Sequence, residues 1–277
     1  PVDAVIELLQ SELARGRTHV LLDEDARRGL RELHVASKQL RQQGQAAPAA
    51  QAPAAAGSMP PLPKIVVSGI SKPEQLESLR RQAQDWPPAR HLGTLRDTMV
   101  FATGNPNAQI MFIGEAPGHE EERQREPFVG PAGGKLNDIL KAMGLTREDV
   151  YISNIVKFRP ALPNQTTNNR KPNAEEMACL LPFVQEEIRV VQPSCIICLG
   201  GTAAEGLLDL SGTVGSMRGR WHQWENIPAR VTYHPSYLLQ SGDNLKVKRE
   251  VWEDMLAVME KIGMEITDKQ RGFFVKR

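Results

Sequence analysis

The chain has 277 residues, enough for one large domain or for a smaller domain with an extension. Its 34 Lys and Arg residues nearly balance its 33 Asp and Glu residues, so any nucleic-acid surface must be a local patch. Three cysteines argue against a disulfide framework. No apolar stretch approaches the roughly 20 residues of a membrane span, and the first residues lack a signal-peptide pattern. These features predict a cytoplasmic protein with no membrane partner.

Composition divides the chain into four parts. Residues 1–43 are rich in Leu, Arg, Glu and Gln and predict a helical N-terminal extension. Residues 44–63 form an Ala/Pro-rich tract with little to bury, which predicts a flexible linker. The compact domain is expected at residues 64–265, and residues 266–277 are predicted to be a C-terminal tail.

Within the compact domain, short apolar segments alternate with helical patterns. Ser71 and Glu74 form a capping box with Pro73 between them, which predicts a helix through about residue 84. We predict strands at residues 110–113, 150–152, 195–199 and 230–233, and helices near residues 133–143, 174–190, 202–210 and 246–262. This alternation predicts an α/β fold with three layers, α/β/α, around a central, mostly parallel, four-stranded sheet.

Each predicted strand ends in a polar or glycine-rich feature. The strand at 110–113 runs into residues 114–118 (GEAPG), which contain Glu115. Asn154 follows the second strand, Gly200 and Gly201 follow the third, and His234 follows the fourth. The carboxyl ends of parallel strands meet at one edge of a sheet, where open α/β folds bind their ligands. We therefore predict one site built from these strand ends.

Two loop residues each allow two interpretations. Glu115 can orient a water molecule or stabilise developing positive charge, or it can cap the turn that follows. Phe128 lies in the loop PFVG at residues 127–130, where neither a helical nor a strand period accounts for an aromatic residue. Its ring either stacks on a flat ligand or pins the loop to the core.

Asn154 and His234 are the other catalytic candidates. The Asn154 amide offers an acceptor and two donors, which suits the edge of a nucleobase or another amide-like ligand, although asparagine is also an ordinary turn former at a strand end. Pro235 fixes the backbone directly after His234, so a rigid turn aims the imidazole, which can donate a hydrogen bond to an anion. The alternative for a lone histidine is a structural role.

The segment after His234 carries apolar and then basic side chains. Leu238 and Leu239 lie close to Gly and Asp residues, where they form either a wedge into stacked bases or the first turn of a buried helix. Further on, Lys248 and Arg249 belong to a small basic cluster that either meets phosphates or forms a solvated helix face.

Cys195 and Cys198 have the CxxC spacing found in some metal and redox sites. Residues three apart in a strand point to opposite faces, so this pair cannot chelate one ion. No second pair exists to complete a site. We predict that both are core cysteines.

Several separate motifs, in this order, resemble the uracil-DNA glycosylase superfamily, and most closely its family-four, thermophile-type bacterial enzymes. The resemblance covers about residues 100–260 and rests on GNPNA at 104–108, GEAPG at 114–118, PFVG at 127–130, SNIVK at 153–157, RP at 159–160, HPS at 234–236 and KREVW at 248–252. It implies a bacterial DNA-repair enzyme that hydrolyses the N-glycosidic bond of uracil in single- or double-stranded DNA. It also implies a monomer that acts in the cytoplasm, at the nucleoid.

The resemblance implies roles for individual residues. Enzymes that act on a base in DNA flip it into a pocket. There Phe128 would stack on uracil, and Asn154 would read its polar edge. Glu115 would orient the attacking water, and His234 would hydrogen-bond uracil O2 as the base leaves as an anion. The backbone of Ala116, Pro117 and Gly118 is implied to share in substrate binding. Ser236 would contact a phosphate, with Tyr237 beside it, and Leu238 or Leu239 would fill the space that the base vacates.

One departure from family four concerns its four-iron four-sulfur cluster, which four cysteines hold. The upstream pair is missing from residues 85–91 (DWPPARH), Phe158 stands at the third position, and only Cys179 is retained. Such a cluster needs four thiolate-like ligands, so we predict that it is absent and that the protein has no metal or other cofactor. Apolar packing of Phe158 with Trp86 is expected to replace its structural role.

A second departure is the segment 161–172, which is longer than the usual link. One relative in the superfamily bonds the sugar covalently through a histidine in an inserted basic loop. This segment holds no histidine, so covalent capture is not expected, and Arg170 and Lys171 are instead predicted to contact DNA. Two other functions stay open: a glycosylase for hypoxanthine or xanthine, and a module that binds uracil or lesions in DNA without cutting. Residues 1–43 either bind a protein partner or only solubilise the domain.

Overall fold

The computed structural model describes residues 62–275. The predicted helical extension and most of the predicted linker, residues 44–61, lie outside the described residues. Within residues 62–275, no helix has the length and apolar character needed to cross a membrane.

A six-stranded mixed sheet forms the centre of the domain. The strands are β1 Leu95–Met99, β2 Ala102–Gly104, β3 Ile110–Gly114, β4 Tyr151–Asn154, β5 Phe158–Pro160, β6 Cys195–Leu199, β7 Trp221–Trp224 and β8 Ile227–Thr232. The sheet order is β2-β4-β3-β6-β8-β7, while β1 and β5 pair separately as a two-stranded antiparallel ribbon. The four inner strands are parallel, and β2 and β7 add antiparallel edges.

The predicted fold class is confirmed, with one correction to the number of strands. The four predicted strands are the four parallel inner strands of the sheet. The two edge strands were missed because β2 is three residues long and neither β2 nor β7 has a long apolar run. Parallel inner strands are buried on both faces and carry the strong apolar signal, whereas edge strands do not.

Helices cover both faces of the sheet. They are α1 Lys72–Gln84, α2 Pro87–Leu92, α3 His119–Gln124, α4 Pro131–Met143, α5 Ala174–Val191, α6 Gly201–Leu208, α7 Val214–Met217, α8 Pro235–Gln240, α9 Leu245–Lys261 and α10 Asp268–Arg271. One core layer contains buried residues of α1, α2, α5 and α6, and the other contains those of α4 and α9. The α1 helix begins after the predicted Ser71 capping box and ends at Gln84, as expected.

The two cysteines of β6 lie in different core layers. Cys198 belongs to the layer packed by α5 and α6, and Cys195 belongs to the layer packed by α4 and α9. Both are fully buried, and burial raises the pKa of each thiol to about 12. The prediction that they are core cysteines on opposite faces of one strand is confirmed.

The C-terminal segment differs from the predicted tail. Helix α10 begins with a capping box formed by Thr267 and Gln270. Trp252 of α9 donates its indole N–H to the Gln270 carbonyl at 2.6 Å, and its ring contacts the ring of Phe273 at 5.3 Å. The Gln270 amide donates to the carbonyl of Ala142 at the end of α4. Residues 266–275 are therefore part of the packed domain.

Candidate active site

A cleft of about 840 Å³ opens at the carboxyl ends of β3, β4, β6 and β8. The parallel arrangement brings together side chains that are up to 125 positions apart in the chain, from residue 115 to residue 240. The predicted site residues that line the cleft are Glu115, Ala116, Pro117, Gly118, Phe128, Asn154, Arg170, Lys171, His234, Ser236 and Tyr237. The predicted convergence of strand ends at one edge is therefore what the structure shows.

Glu115 lies directly beyond β3, where its carboxylate meets a hydroxyl group from the next layer. Thr202 of α6 donates a hydrogen bond to Glu115 Oε2 at 2.5 Å. Burial raises the pKa of Glu115 above its usual range, while the Thr202 hydrogen bond and the positive charge of Lys171 oppose that rise. The carboxyl group thus lies in a partly dry site with one fixed oxygen.

Phe128 lies between the core and the cleft. Its side chain is 5% exposed and packs in the core layer of α4 and α9, and it also lines the cleft. The ring therefore packs against the core, as one interpretation of the sequence predicted, and also lies at the cleft, as stacking on a ligand would require. Its backbone is left-handed at φ +56°, an unfavourable conformation for a bulky residue. Arg147 holds this turn by donating to the carbonyls of Pro127 at 2.7 Å and Phe128 at 3.0 Å.

The two loops that form one side of the cleft are joined by Glu121. Its carboxylate accepts hydrogen bonds from the backbone N–H groups of Gly118 at 3.2 Å, Val129 at 3.1 Å and Gly130 at 2.8 Å. The loop with Glu115 and the loop with Phe128 are thereby fixed relative to each other. Glu121 was not among the residues predicted from the sequence, although a glutamate three residues after a helix N-cap can accept a hydrogen bond from the N-cap N–H, as here at Gly118.

Asn154 ends β4 with a buried and unsatisfied side chain. The residue is 2% exposed, and its Oδ1 atom has no hydrogen-bond partner among residues 62–275. A buried polar atom without a partner is unfavourable unless a ligand or water satisfies it. Because Asn154 lines the cleft, its amide is available to a ligand that enters there.

His234 is held as a neutral imidazole with a defined tautomer. The backbone N–H of Ser236 donates to His234 Nδ1 at 3.2 Å, so Nδ1 is an acceptor and the ring proton lies on Nε2. The Ser236 hydroxyl also contacts Nδ1 at 2.7 Å. Burial lowers the pKa of His234 to about 4, which keeps the ring uncharged at neutral pH. Its ring lies 5.6 Å from that of Phe128.

The family model described as the uracil DNA glycosylase superfamily matches residues 101–256, which include every strand end that forms the cleft. The chain belongs to this superfamily. It is 39% identical over 165 residues to a type-4 uracil-DNA glycosylase from Thermotoga maritima, a match that covers 58% of this chain and 81% of that protein. A type-4 uracil-DNA glycosylase from Archaeoglobus fulgidus is 34% identical, with 63% and 85% covered. The expected likeness to family four is confirmed.

A more distant relative belongs to a second class of the superfamily. A type-5 uracil-DNA glycosylase from Pyrobaculum aerophilum is 28% identical over 162 residues, which cover 52% of this chain and 69% of that protein. Archaeal proteins occur among the relatives, so the similarity does not support the expected bacterial origin in particular.

The predicted DNA wedge of this superfamily member is divided between two environments. Leu238 is 8% exposed and packs against Val247 and Val251, whereas Leu239 is 42% exposed. Both lie in α8, where Leu238 belongs to the buried side of the helix and Leu239 to its exposed side. Tyr237 is also 42% exposed, and its ring stacks on that of Tyr233 at 4.8 Å.

Arg170 differs from its predicted role at DNA. Its guanidinium donates to both carboxylate oxygens of Glu176 and to the carbonyls of Thr94, Ala161 and Lys171. These contacts use all five N–H donors of an arginine, so none is left for a phosphate. Lys171 is exposed and lines the cleft, as a DNA contact requires.

The predicted basic cluster on α9 lies outside the cleft. Lys248 pairs with Asp243 at 2.7 Å and lines a separate groove of about 430 Å³ with Leu238 and Leu239. Arg249 pairs with Glu253 at 2.9 Å and donates to the carbonyls of Arg271 and Phe273, which holds the C-terminal segment. Arg249 therefore has partners within the protein in place of the predicted phosphate.

The residues at the positions of the family-four cluster do not fit an iron–sulfur group. Cys179 is fully buried in α5, and burial raises the pKa of its thiol to about 11, whereas a cluster binds thiolates. Phe158 and Trp86 fill the same core layer, and the Trp86 indole donates to the Cys179 carbonyl at 3.1 Å. Within residues 62–275, no group of three or more His, Cys, Asp and Glu side chains is placed to bind a metal.

Proposed function

We propose that the protein is a uracil-DNA glycosylase, which hydrolyses the N-glycosidic bond of uracil after the base has been flipped out of DNA. The observation that carries this proposal is the buried Asn154 amide, whose Oδ1 atom has no partner among residues 62–275, in a cleft that also contains Glu115 and a neutral His234. An amide with free hydrogen-bonding capacity in a buried position selects a ligand with a complementary polar edge. The N3–H and O4 edge of uracil has that pattern.

Uracil binding would use one face and one edge of the base. The Phe128 ring offers an apolar surface for stacking, and Arg147 keeps that ring in position through the backbone of the loop. Asn154 would accept from N3–H and donate to O4. The wedge residue Leu239, with Tyr237 beside it, would occupy the gap that the flipped nucleotide leaves in the duplex.

The hydrolysis follows from the protonation states of two side chains. The C1′–N1 bond breaks and its electron pair leaves with uracil, whose negative charge is shared with O2. His234 would donate its Nε2–H to O2, and backbone N–H groups of residues 116–118 would share this task. Glu115 would stabilise the oxocarbenium-like sugar and take the proton of the water whose oxygen bonds to C1′.

Binding of the DNA strand would depend on groups at the rim of the cleft. Ser236 would contact a phosphate next to the flipped nucleotide, and Lys171 would add a positive charge to the same strand. We further propose that the enzyme acts as a monomer at the nucleoid, on single- or double-stranded DNA. Residues 1–43 are proposed as the place for a protein partner.

We also propose that the enzyme works without the iron–sulfur cluster of family four. Support comes from the single retained ligand, Cys179, and from the apolar core layer that it shares with Phe158 and Trp86. Anaerobically purified protein should contain no stoichiometric iron, and the Cys179→Ala variant should keep wild-type glycosylase activity. Iron at about four atoms per chain, or loss of activity on chelation, would contradict this proposal.

The function is tested by single-turnover base release from DNA with one U·G pair, followed by alkaline strand cleavage. Wild type and Glu205→Gln, an exposed residue outside the cleft, should release uracil at the same rate. Glu115→Gln and His234→Asn should lose about 100-fold or more in rate, because each removes a group that acts in the transition state. Asn154→Asp should weaken the preference for uracil over cytosine.

Two further substrates distinguish the alternatives. Faster release from hypoxanthine or xanthine DNA than from uracil DNA would identify a different deaminated base as the substrate. DNA binding that favours a lesion, with no base release from any of the three substrates, would identify a binding module.

A further inference from the structure

One turn of the chain contacts both groups that are proposed to act in catalysis. Gly200 connects β6 to α6, Gly201 and Thr202 begin that helix, and all three residues line the cleft. Gly200 has φ +94°, and a Cβ atom at this position would lie 3.1 Å from the Cβ of His234. Two residues later, Thr202 donates its hydroxyl to Glu115. The turn therefore lies close to both the carboxylate and the imidazole.

The Thr202 hydroxyl has a partner that is remote in the chain. Thr202 lies in the first turn of α6, where the carbonyls three and four residues earlier belong to β6, so its hydroxyl has no carbonyl of its own helix to bond. Thr202 is the second residue of α6, is 5% exposed, and bonds instead to Glu115 Oε2, across 87 positions of the chain. An ionised carboxylate only accepts hydrogen bonds, so the threonine must be the donor.

We infer that Thr202 is a positioning residue that holds Glu115 with Oε2 engaged and Oε1 free to bind the attacking water. Among residues 62–275, the Thr202 hydroxyl is the hydrogen-bond donor found for the Glu115 side chain. Without it, the carboxylate could rotate about its terminal bonds, since no other hydrogen bond fixes its plane. The inference rests on the proposed function, because it assigns Thr202 to the same hydrolysis.

Thr202 would also influence the pH range in which the enzyme works. Its hydrogen bond stabilises the charged form of Glu115 and so lowers the pKa of a group that burial raises. Lys171, which also faces this carboxylate, acts in the same direction. Removal of the hydroxyl leaves the burial effect less opposed, so ionised Glu115 would be available only at higher pH.

The experiment compares single-turnover rates of uracil release from U·G DNA between pH 4.5 and pH 9. Thr202→Val removes the hydroxyl with little change in shape, and Thr202→Ser retains it. The control is Thr232→Val, because Thr232 is a fully buried threonine outside the cleft whose hydroxyl has no partner among the described residues. Circular dichroism and thermal unfolding establish that each variant is folded.

The expected result is a changed pH profile in one variant only. Thr202→Val should lose about tenfold or more in rate at pH 7, and the acidic limb of its profile should move to higher pH. Thr202→Ser and Thr232→Val should keep the wild-type limb. If the valine variant does not fold, Thr202→Ala gives the same test.

An unchanged acidic limb in folded Thr202→Val or Thr202→Ala would overturn the inference. Glu115→Gln separates this outcome from failure of the proposed function. If Glu115→Gln abolishes the acidic limb while the Thr202 variants resemble wild type, the catalytic role of Glu115 stands and the positioning role of Thr202 is rejected. If Glu115→Gln is as active as wild type, the proposed function itself is wrong in its assignment of Glu115.

Discussion

Gly114 and Asn154 are partners in the parallel register of β3 and β4, and their closeness leaves no room for a side chain at position 114. A Cβ atom there would overlap the Asn154 Oδ1 atom and would lie 2.6 Å from Cζ of Phe128. Both proposed uracil-binding residues therefore depend on the missing side chain of one glycine. This relationship explains why the motif at residues 114–118 begins with Gly.

We expect Gly114→Ala to impair uracil binding more than stability. The added methyl group would displace the Asn154 amide or the Phe128 ring, and a displacement of about 1 Å can cost about 100-fold in kcat/KM. Steady-state kinetics on uracil DNA and thermal unfolding measure the two effects. Gly134→Ala is the matched control, since a Cβ atom at position 134 meets nothing within 4 Å and alanine favours the helix. Equal losses in both variants would contradict this explanation.

Arg147 is expected to act on uracil through the backbone of Phe128. In Arg147→Met the carbonyls of Pro127 and Phe128 lose their donor, and the left-handed Phe128 can relax to a less strained conformation. We predict a loss of about 1–3 kcal/mol in the free energy of unfolding and weaker inhibition by free uracil.

The measurements for this prediction are urea unfolding and the inhibition constant of uracil. Arg123→Met is the control because Arg123, among residues 62–275, pairs with Glu120 of its own helix and not with the Phe128 loop. If Arg147→Met is destabilised but free uracil inhibits it as strongly as wild type, Arg147 contributes to stability and not to uracil binding.

Arg170 and Lys171 are neighbours with opposite expected effects. Arg170→Ala leaves the buried Glu176 without its charged partner and should reduce the free energy of unfolding by about 3 kcal/mol. The salt dependence of its DNA binding should match wild type. Lys171→Ala should leave stability unchanged and reduce the slope of log K against log salt by about 1. Fluorescence anisotropy between 50 and 200 mM salt measures DNA binding by both variants. A reduced slope in Arg170→Ala would show that Arg170 contacts DNA, as the sequence predicted.

The neutral His234 should make folding stability depend on pH below neutrality. Burial lowers its pKa from 6.5 to about 4, so between these values the unfolded chain binds a proton that the folded chain does not. Stability should therefore fall as the pH falls from 6.5 to about 4. His234→Asn should flatten the dependence over this interval in urea unfolding, whereas His91→Asn, at an exposed histidine, should not. If the stability of His234→Asn depends on pH as steeply as that of wild type, His234 is not the source of the pH dependence.

Much of the candidate site follows from local features of the sequence. Apolar segments bounded by glycine and proline identified the four inner strands, and parallel strands must present their carboxyl ends at one edge. That rule alone brought Glu115, Asn154 and His234 together, in agreement with the cleft in the structure. The opposite orientations of Cys195 and Cys198 likewise follow from the two-residue period of a strand.

Other assignments depend on neighbours that are remote in the chain. Arg170 and Lys171 have similar local sequences, and Leu238 and Leu239 are identical, yet within each pair one residue is engaged in the interior and the other is exposed. Thr202 gave no signal of its own, because a hydroxyl becomes functional only when another strand brings a carboxylate within reach. Short-range periodicity determines which segments are strands and helices. The partners of a single polar group are set by packing across layers, which no local pattern encodes.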